Sequence, residues 1–154
     1  MPKRHNSKGR STTERFVVLP HWMLRSPAWR SLSPVARCVF VELAAIYNGG
    51  NNGFLALSAR NAAERTGCSK NTASLALKEL RAKGFIELAQ RGHFDRKSPH
   101  AAEYRLTLYE CNKTGQRGSK AFMSLGPGVL LKSVGGPTRG TAGPISGTAQ
   151  GLAQ

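Results

Sequence analysis

From Pro34 to Leu88 the apolar residues recur every three or four positions in two long runs, separated by short stretches rich in glycine, serine and asparagine. In the first run Ala36, Val39, Phe40, Leu43 and Tyr47 keep helical spacing. Ser33-Pro34 supplies a cap and a proline at the first helical position, and Asn48-Gly49-Gly50-Asn51-Asn52-Gly53 breaks the period. In the second run Ala73, Ala76, Leu77 and Leu80 share one side of a helix that Ser69 caps and Gly84 ends. Between the two, Phe54 to Leu57 reads as a short strand, and Ser58 caps a shorter helix closed by Gly67. Phe85 to Gln90 is a further strand. Glu103 to Leu108 alternates, with Tyr104, Leu106 and Leu108 on one side, so the two strands form a hairpin whose long tip is Arg91 to Ala102. Upstream, Phe16 to Leu19 is a strand or an extended lead-in before Pro20. His21 to Leu24 makes one helical turn, and Ser26-Pro27 opens another. Trp22 and Trp29, one on each, are expected to pack in the core beneath the next helix.

Two helices joined by a tight turn that contains glycine form a helix-turn-helix. Ala62 and Ala63 are small enough to let the second helix cross the first closely, and Thr66 and Cys68 are small enough to plug the turn. Opposite the apolar side of the second helix stand Asn71, Ser74, Leu75 and Lys78, flanked by Lys70 and Arg81. Amides and cations on an outer face suit a major groove, where they read base edges and phosphates. A solvated amphipathic pair would share the inner pattern; the combination of caps, glycines and alanines favours the helix-turn-helix.

The order helix, short strand, helix, helix, strand is that of a winged helix. Leu57-Ser58, Ala63-Glu64, Gly67, Ser69, Leu80 and Gly84-Phe85-Ile86 resemble the winged helix-turn-helix domains of bacterial transcription regulators, over about a third of the chain with the wing counted. The resemblance implies an α+β fold: a winged helix-turn-helix with a small antiparallel sheet. It also implies sequence-specific binding to double-stranded DNA as a transcription regulator. The lead-in Leu19-Pro20, Ser26-Pro27-Ala28-Trp29-Arg30 and Leu32-Ser33 resembles the start of plasmid and phage replication-initiation proteins. That leaves open a replication initiator, or an architectural or excision factor of a mobile element. A third reading, RNA or protein binding through charge alone, lacks the aromatics that stack on single strands, since only Phe94 stands in the contact region.

Charge strengthens the nucleic-acid reading. The chain of 154 residues carries 23 Lys+Arg against 8 Asp+Glu, a formal net charge of +15. Such an excess favours a polyanion, because neutralised phosphates release condensed counterions. The cations divide the chain into three. Residues 1–15 hold Lys3, Arg4, Lys8, Arg10 and Arg15 against Glu14, without periodicity, and are expected to be a disordered basic arm. Residues 16–110 form the winged domain. Residues 111–154, with 10 glycines, 3 prolines and no acid, are expected to be a flexible tail, in which Phe122 to Leu125 and Val129 to Leu131 are the apolar clusters.

Within this scheme Ser69 to Lys83 enters the major groove. Asn71, Ser74 and Lys78 are the candidates for base edges, and Leu75 is suited only to a thymine methyl or a partner. Ser69 stands at the same helix start. Arg60, Lys70 and the wing residues Arg91, His93, Arg96 and Lys97 are placed on phosphate or the minor groove. No catalytic set is expected, and no cofactor: the histidines His5, His21, His93 and His100 have no helical ligand spacing, and a phosphate loop is missing. His93-x-Asp95 is expected to be solvated rather than to hold a metal. Cys38, Cys68 and Cys111 are odd in number and lack CxxC spacing, which points to a reducing cytoplasm. No apolar run spans a membrane, and Met1 to Arg15 has no signal-peptide core. A homodimer is compatible with the sequence; without a long heptad helix it would form through the lead-in, the first helix or the tail.

Overall fold

A computed structural model describes residues 15–93 and 100–124. The short helices α1 (His21–Leu24) and α2 (Pro27–Arg30) lead into α3 (Pro34–Ile46), β1 (Leu55–Ala56), α4 (Ala59–Thr66), α5 (Lys70–Ala82), β2 (Ile86–Gln90) and β3 (Glu103–Leu106), and a 3-10 turn closes the described chain at Ala121–Ser124. The three strands form one antiparallel sheet in the order β1-β3-β2. This is a winged helix-turn-helix, with the β2–β3 hairpin as the wing.

Local chemistry starts and stops the helices where the sequence placed the signals. The hydroxyls of Ser26, Ser33, Ser58 and Ser69 each accept from a backbone N–H three residues on, at 3.1–3.2 Å. The last turns of α4 and α5 close alike: Cys68 N–H donates to Ala63 O (3.1 Å) and Phe85 N–H to Leu80 O (2.9 Å). Gly67 and Gly84 sit at φ +66° and +70°, where a side chain is strained. Gly84 has a second reason to be glycine. A Cβ there would lie 2.8 Å from the backbone nitrogen of Phe122.

Trp29, Phe40 and Phe85 meet edge to face with centroids 5.3–5.8 Å apart, and this trio joins α2, α3 and the start of the wing. Val39 and Leu43 of α3, Ala62 of α4, Ala73, Leu77 and Leu80 of α5 and Ile86 and Leu106 of the sheet complete the core. The small alanines of α4 and α5 let these helices approach closely, as expected.

Four expectations need correction. The packed domain does not end at residue 110. Cys111 is buried, and Phe122 is only 1% exposed, stacked on Phe85 at 4.6 Å and 9°. A flexible tail from residue 111 onward therefore does not describe residues 111–124. Local composition concealed this, because the burial depends on a cleft at the far end of α5. Trp22 is 44% exposed rather than core; it lies over Phe122 from outside, at 6.0 Å. Phe54 is exposed beside β1 rather than within it, whereas Phe16 to Leu19, read as a strand or an extended lead-in, pairs with no strand among the described residues and so is the lead-in. β3 stops at Leu106, so Leu108 lies beyond the strand, half-buried.

Asn52 is the hinge between the loop after α3 and the chain after β3. Its fully buried amide donates to the carbonyls of Leu106 (2.9 Å), Tyr109 (3.2 Å) and Glu110 (2.9 Å), and its oxygen accepts from Leu106 N–H (2.7 Å). Leu106 is the last residue of β3, and Tyr109 and Glu110 lie beyond it, so this one side chain ties the end of the strand to the chain that leaves the ladder.

Candidate nucleic-acid interface

Two attachments fix α5 on the body of the protein. Its apolar side, Ala73, Ala76, Leu77 and Leu80, is buried against α3 and α4. At its far end Glu79 accepts from the Ser33 hydroxyl (2.6 Å), the Ser33 N–H (3.0 Å) and Lys83 Nζ (2.7 Å), while Lys83 also donates to Ser31 O (2.6 Å). The cap of α3 is thereby tied to the last turns of α5. Burial raises the Glu79 carboxyl pKa, but these hydrogen bonds and the Lys83 charge prevail and hold it below the ordinary carboxylate value.

The opposite side of α5 is presented outward. Lys70, Asn71 and Lys78 are exposed, Ser74 is half-buried, and Leu75 keeps 41% of its surface in solvent. Ser69 is exposed at the helix start, with its hydroxyl occupied by the cap and by Thr72 Oγ1 at 2.8 Å. The turn before it is closed as expected: the Thr66 hydroxyl donates to Ala62 O (2.7 Å), and Cys68 Sγ lies 3.2 Å from the same hydroxyl. Arg60 is exposed on the first turn of α4. At the wing base Arg91 and His93 are exposed, and His93 forms an antiparallel bridge with His100 in which each N–H donates to the other's carbonyl (3.1 and 3.0 Å). Arg96 and Lys97 lie outside the described residues.

The ion pairs divide the cations into two groups. Arg65, Lys83, Arg105 and Lys113 pair with Glu42, Glu79, Glu87 and Glu103. Among the described residues Arg60, Lys70, Lys78, Arg81 and Arg91 have no such partner. Arg15, Arg25, Arg30, Arg37, Arg117 and Lys120 are likewise without an ion pair among the described residues, so it is the placement of Arg60, Lys70, Lys78, Arg81 and Arg91 on α4, α5 and the wing that offers this face to an anionic surface.

Residues 30–86 match the model of a family described as a helix-turn-helix domain. The match runs from the end of α2 to the first residue of β2 and so contains the whole helix-turn-helix. It supports DNA binding by this domain. No curated protein and no solved structure matches the chain. The lead-in before residue 30 and the wing beyond residue 86 lie outside the match. Among the described residues no group of three or more His, Cys, Asp and Glu is placed to hold a metal ion, and no helix is long and apolar enough to cross a membrane.

Sequence reasoning placed Arg81 only at the flank of the outer face and gave it no contact of its own. Arg81 is exposed and lines a shallow groove with Ser74 and Lys78 of α5, Ser58 before α4, and His100 and Tyr104 of the wing. Its spacing from Lys78 carried the signal, since residues three apart on a helix are neighbours. What the sequence did not contain is that the wing folds back beside it.

Proposed function

We propose that the protein is a sequence-specific double-stranded DNA-binding protein that acts as a bacterial transcription regulator. The observation that carries this reading is the division of α5. Its apolar side is fully committed to the core, while Asn71 and Lys78 face solvent with no ion-pair partner for the lysine among the described residues. The helix inserts into the major groove from its N-terminal end. Asn71, Ser74 and Lys78 read base edges, and Leu75 reaches a thymine methyl. Ser69, Lys70 and Arg60 sit at the neighbouring phosphates, and Arg91, His93, Arg96 and Lys97 hold the wing against the backbone. The protein works without a cofactor or catalytic chemistry, in the cytoplasm, as a monomer or homodimer.

A second reading, a replication initiator or an architectural or excision factor of a mobile element, is favoured by the lead-in. Trp29, within the stretch that resembles initiators, packs directly on Phe40 and Phe85 rather than serving as a loose extension.

Selection of bound sequences from random duplexes separates the two. A palindromic motif marks a dimeric regulator, direct repeats mark an initiator or architectural protein, and no enriched motif removes sequence-specific reading altogether. On the selected site Asn71→Ala and Lys78→Ala are each expected to weaken binding by about 1–3 kcal/mol with the fold intact. Wild-type affinity on both the selected and a scrambled duplex would take these residues out of the interface.

A further inference from the structure

We propose that the groove between α5 and the base of the wing seats a phosphate of the DNA backbone, held by Arg81 together with His100, beside the base-reading Lys78. The inference rests on the DNA-binding reading above and gives one joint role to Arg81, placed by the sequence only as a flanking cation, and to His100 of the wing loop.

The first argument is length. Asn71, Ser74, Lys78 and Arg81 are three or four residues apart and form one row along α5. Ten residues of helix rise about 15 Å, more than the about 12 Å width of the major groove. With Asn71 near the groove floor, the far end of the row stands over a sugar-phosphate strand. Arg81 is that far end.

The second argument is the chemistry of the groove. Its lining holds three basic side chains, Lys78, Arg81 and His100, and no acid. The alanines at 59, 101 and 102 keep its walls low. Of the neighbouring acids, Glu79 is held by Lys83 and Ser33 and Glu103 by Lys113, while Glu87, which lines an adjoining groove with Lys78 and Arg81, is held by Arg105 and Ser119. Arg81 thus stands without an ion-pair partner among the described residues, and its planar fork matches a phosphate through two parallel hydrogen bonds. Tyr104 lines the same groove. Burial pushes its hydroxyl pKa up against the opposing charge of Arg81, so the hydroxyl remains a neutral donor. The backbone bridge between His93 and His100 sets where the His100 side chain leaves the wing.

The experiment is titration of the full-length chain against the selected and a scrambled duplex at several salt concentrations. Arg81→Ala is expected to weaken binding to both duplexes by the same factor and to reduce the slope of log affinity against log salt by about 0.9. Arg81→Lys restores the slope and only part of the affinity. His100→Ala weakens both duplexes alike. Circular dichroism checks the fold, and Arg81→Gln replaces the alanine variant if helix is lost. Wild-type affinity and slope in the Arg81 variants overturn the phosphate seat while the DNA-binding reading stands. A loss confined to the selected duplex also overturns it, because Arg81 then reads bases. A wild-type chain that binds neither duplex overturns the DNA-binding reading itself.

Discussion

Glu79 shows how one side chain couples the interface helix to the rest of the molecule. In sequence it is one of three helical acids without a neighbouring acid; in the structure it accepts from Ser33 twice and from Lys83. Burial alone would raise its pKa, yet the hydrogen bonds and the lysine charge hold it below the ordinary value. A carboxyl whose pKa is lower in the folded than in the unfolded chain binds fewer protons when folded. Its stabilisation is therefore complete above the unfolded pKa and disappears as pH falls through the folded one. Glu79→Gln is thus expected to melt below wild type at neutral pH, with the gap narrowing as pH falls below about 4. Thermal melts of both proteins across that range test this. A gap that stays constant into acid would assign the loss to packing instead of charge.

At the scale of elements, the least expected feature is the 3-10 turn at Ala121–Ser124. Phe122 inserts between Phe85 and Trp22, and the chain leading to it is tied to the sheet. Lys120 N–H donates to Thr107 O (2.9 Å), and Lys113 Nζ to Gln90 (2.8 Å) and Glu103 (3.0 Å). Residues 111–124 therefore act as a strap across the sheet and the C-terminal end of α5. Phe122→Ala is expected to destabilise the fold by about 3–5 kcal/mol, in the range for a buried aromatic ring. Urea unfolding measures it. A variant with an unchanged midpoint would show that the strap adds nothing to the core. A chain cut after residue 110 is expected to lose at least as much, since the cut also removes Asn112, whose side chain accepts from Asn52 N–H (2.9 Å) and whose N–H donates to Asn52 O (2.8 Å).

For the whole molecule the governing quantity is the excess of 23 basic over 8 acidic residues. Four described cations are neutralised by ion pairs within the fold, and the remainder add to a positive field that steers a polyanion without specifying its sequence. Replacing Arg96 and Lys97 of the wing by alanine is expected to flatten the slope of log affinity against log salt by roughly 1–2 and to weaken selected and scrambled duplexes alike. Loss of affinity for the selected duplex alone, at unchanged slope, would mean that the wing reads bases or groove shape.

Much of this protein is determined by the sequence on its own, because the relevant interactions are local. Ser33, Ser58 and Ser69 reach backbone donors three residues away, Gly67 and Gly84 adopt a left-handed conformation that other residues resist, and the helical spacing of Ala73, Ala76, Leu77 and Leu80 commits one side of α5 to the core. These features are enough to locate the helix-turn-helix and the outward row of Asn71 and Lys78. Only the tertiary structure decided the rest, because it depends on partners dozens of residues apart that no local pattern announces. Asn52 reads as a turn residue until the carbonyls after β3 come to surround it. Phe122 reads as part of a glycine-rich tail until Phe85 offers it a ring to stack on. Arg81 reads as a flanking cation until the wing returns His100 and Tyr104 to its side, since the return of a hairpin is set by strand pairing and not by the helix it covers.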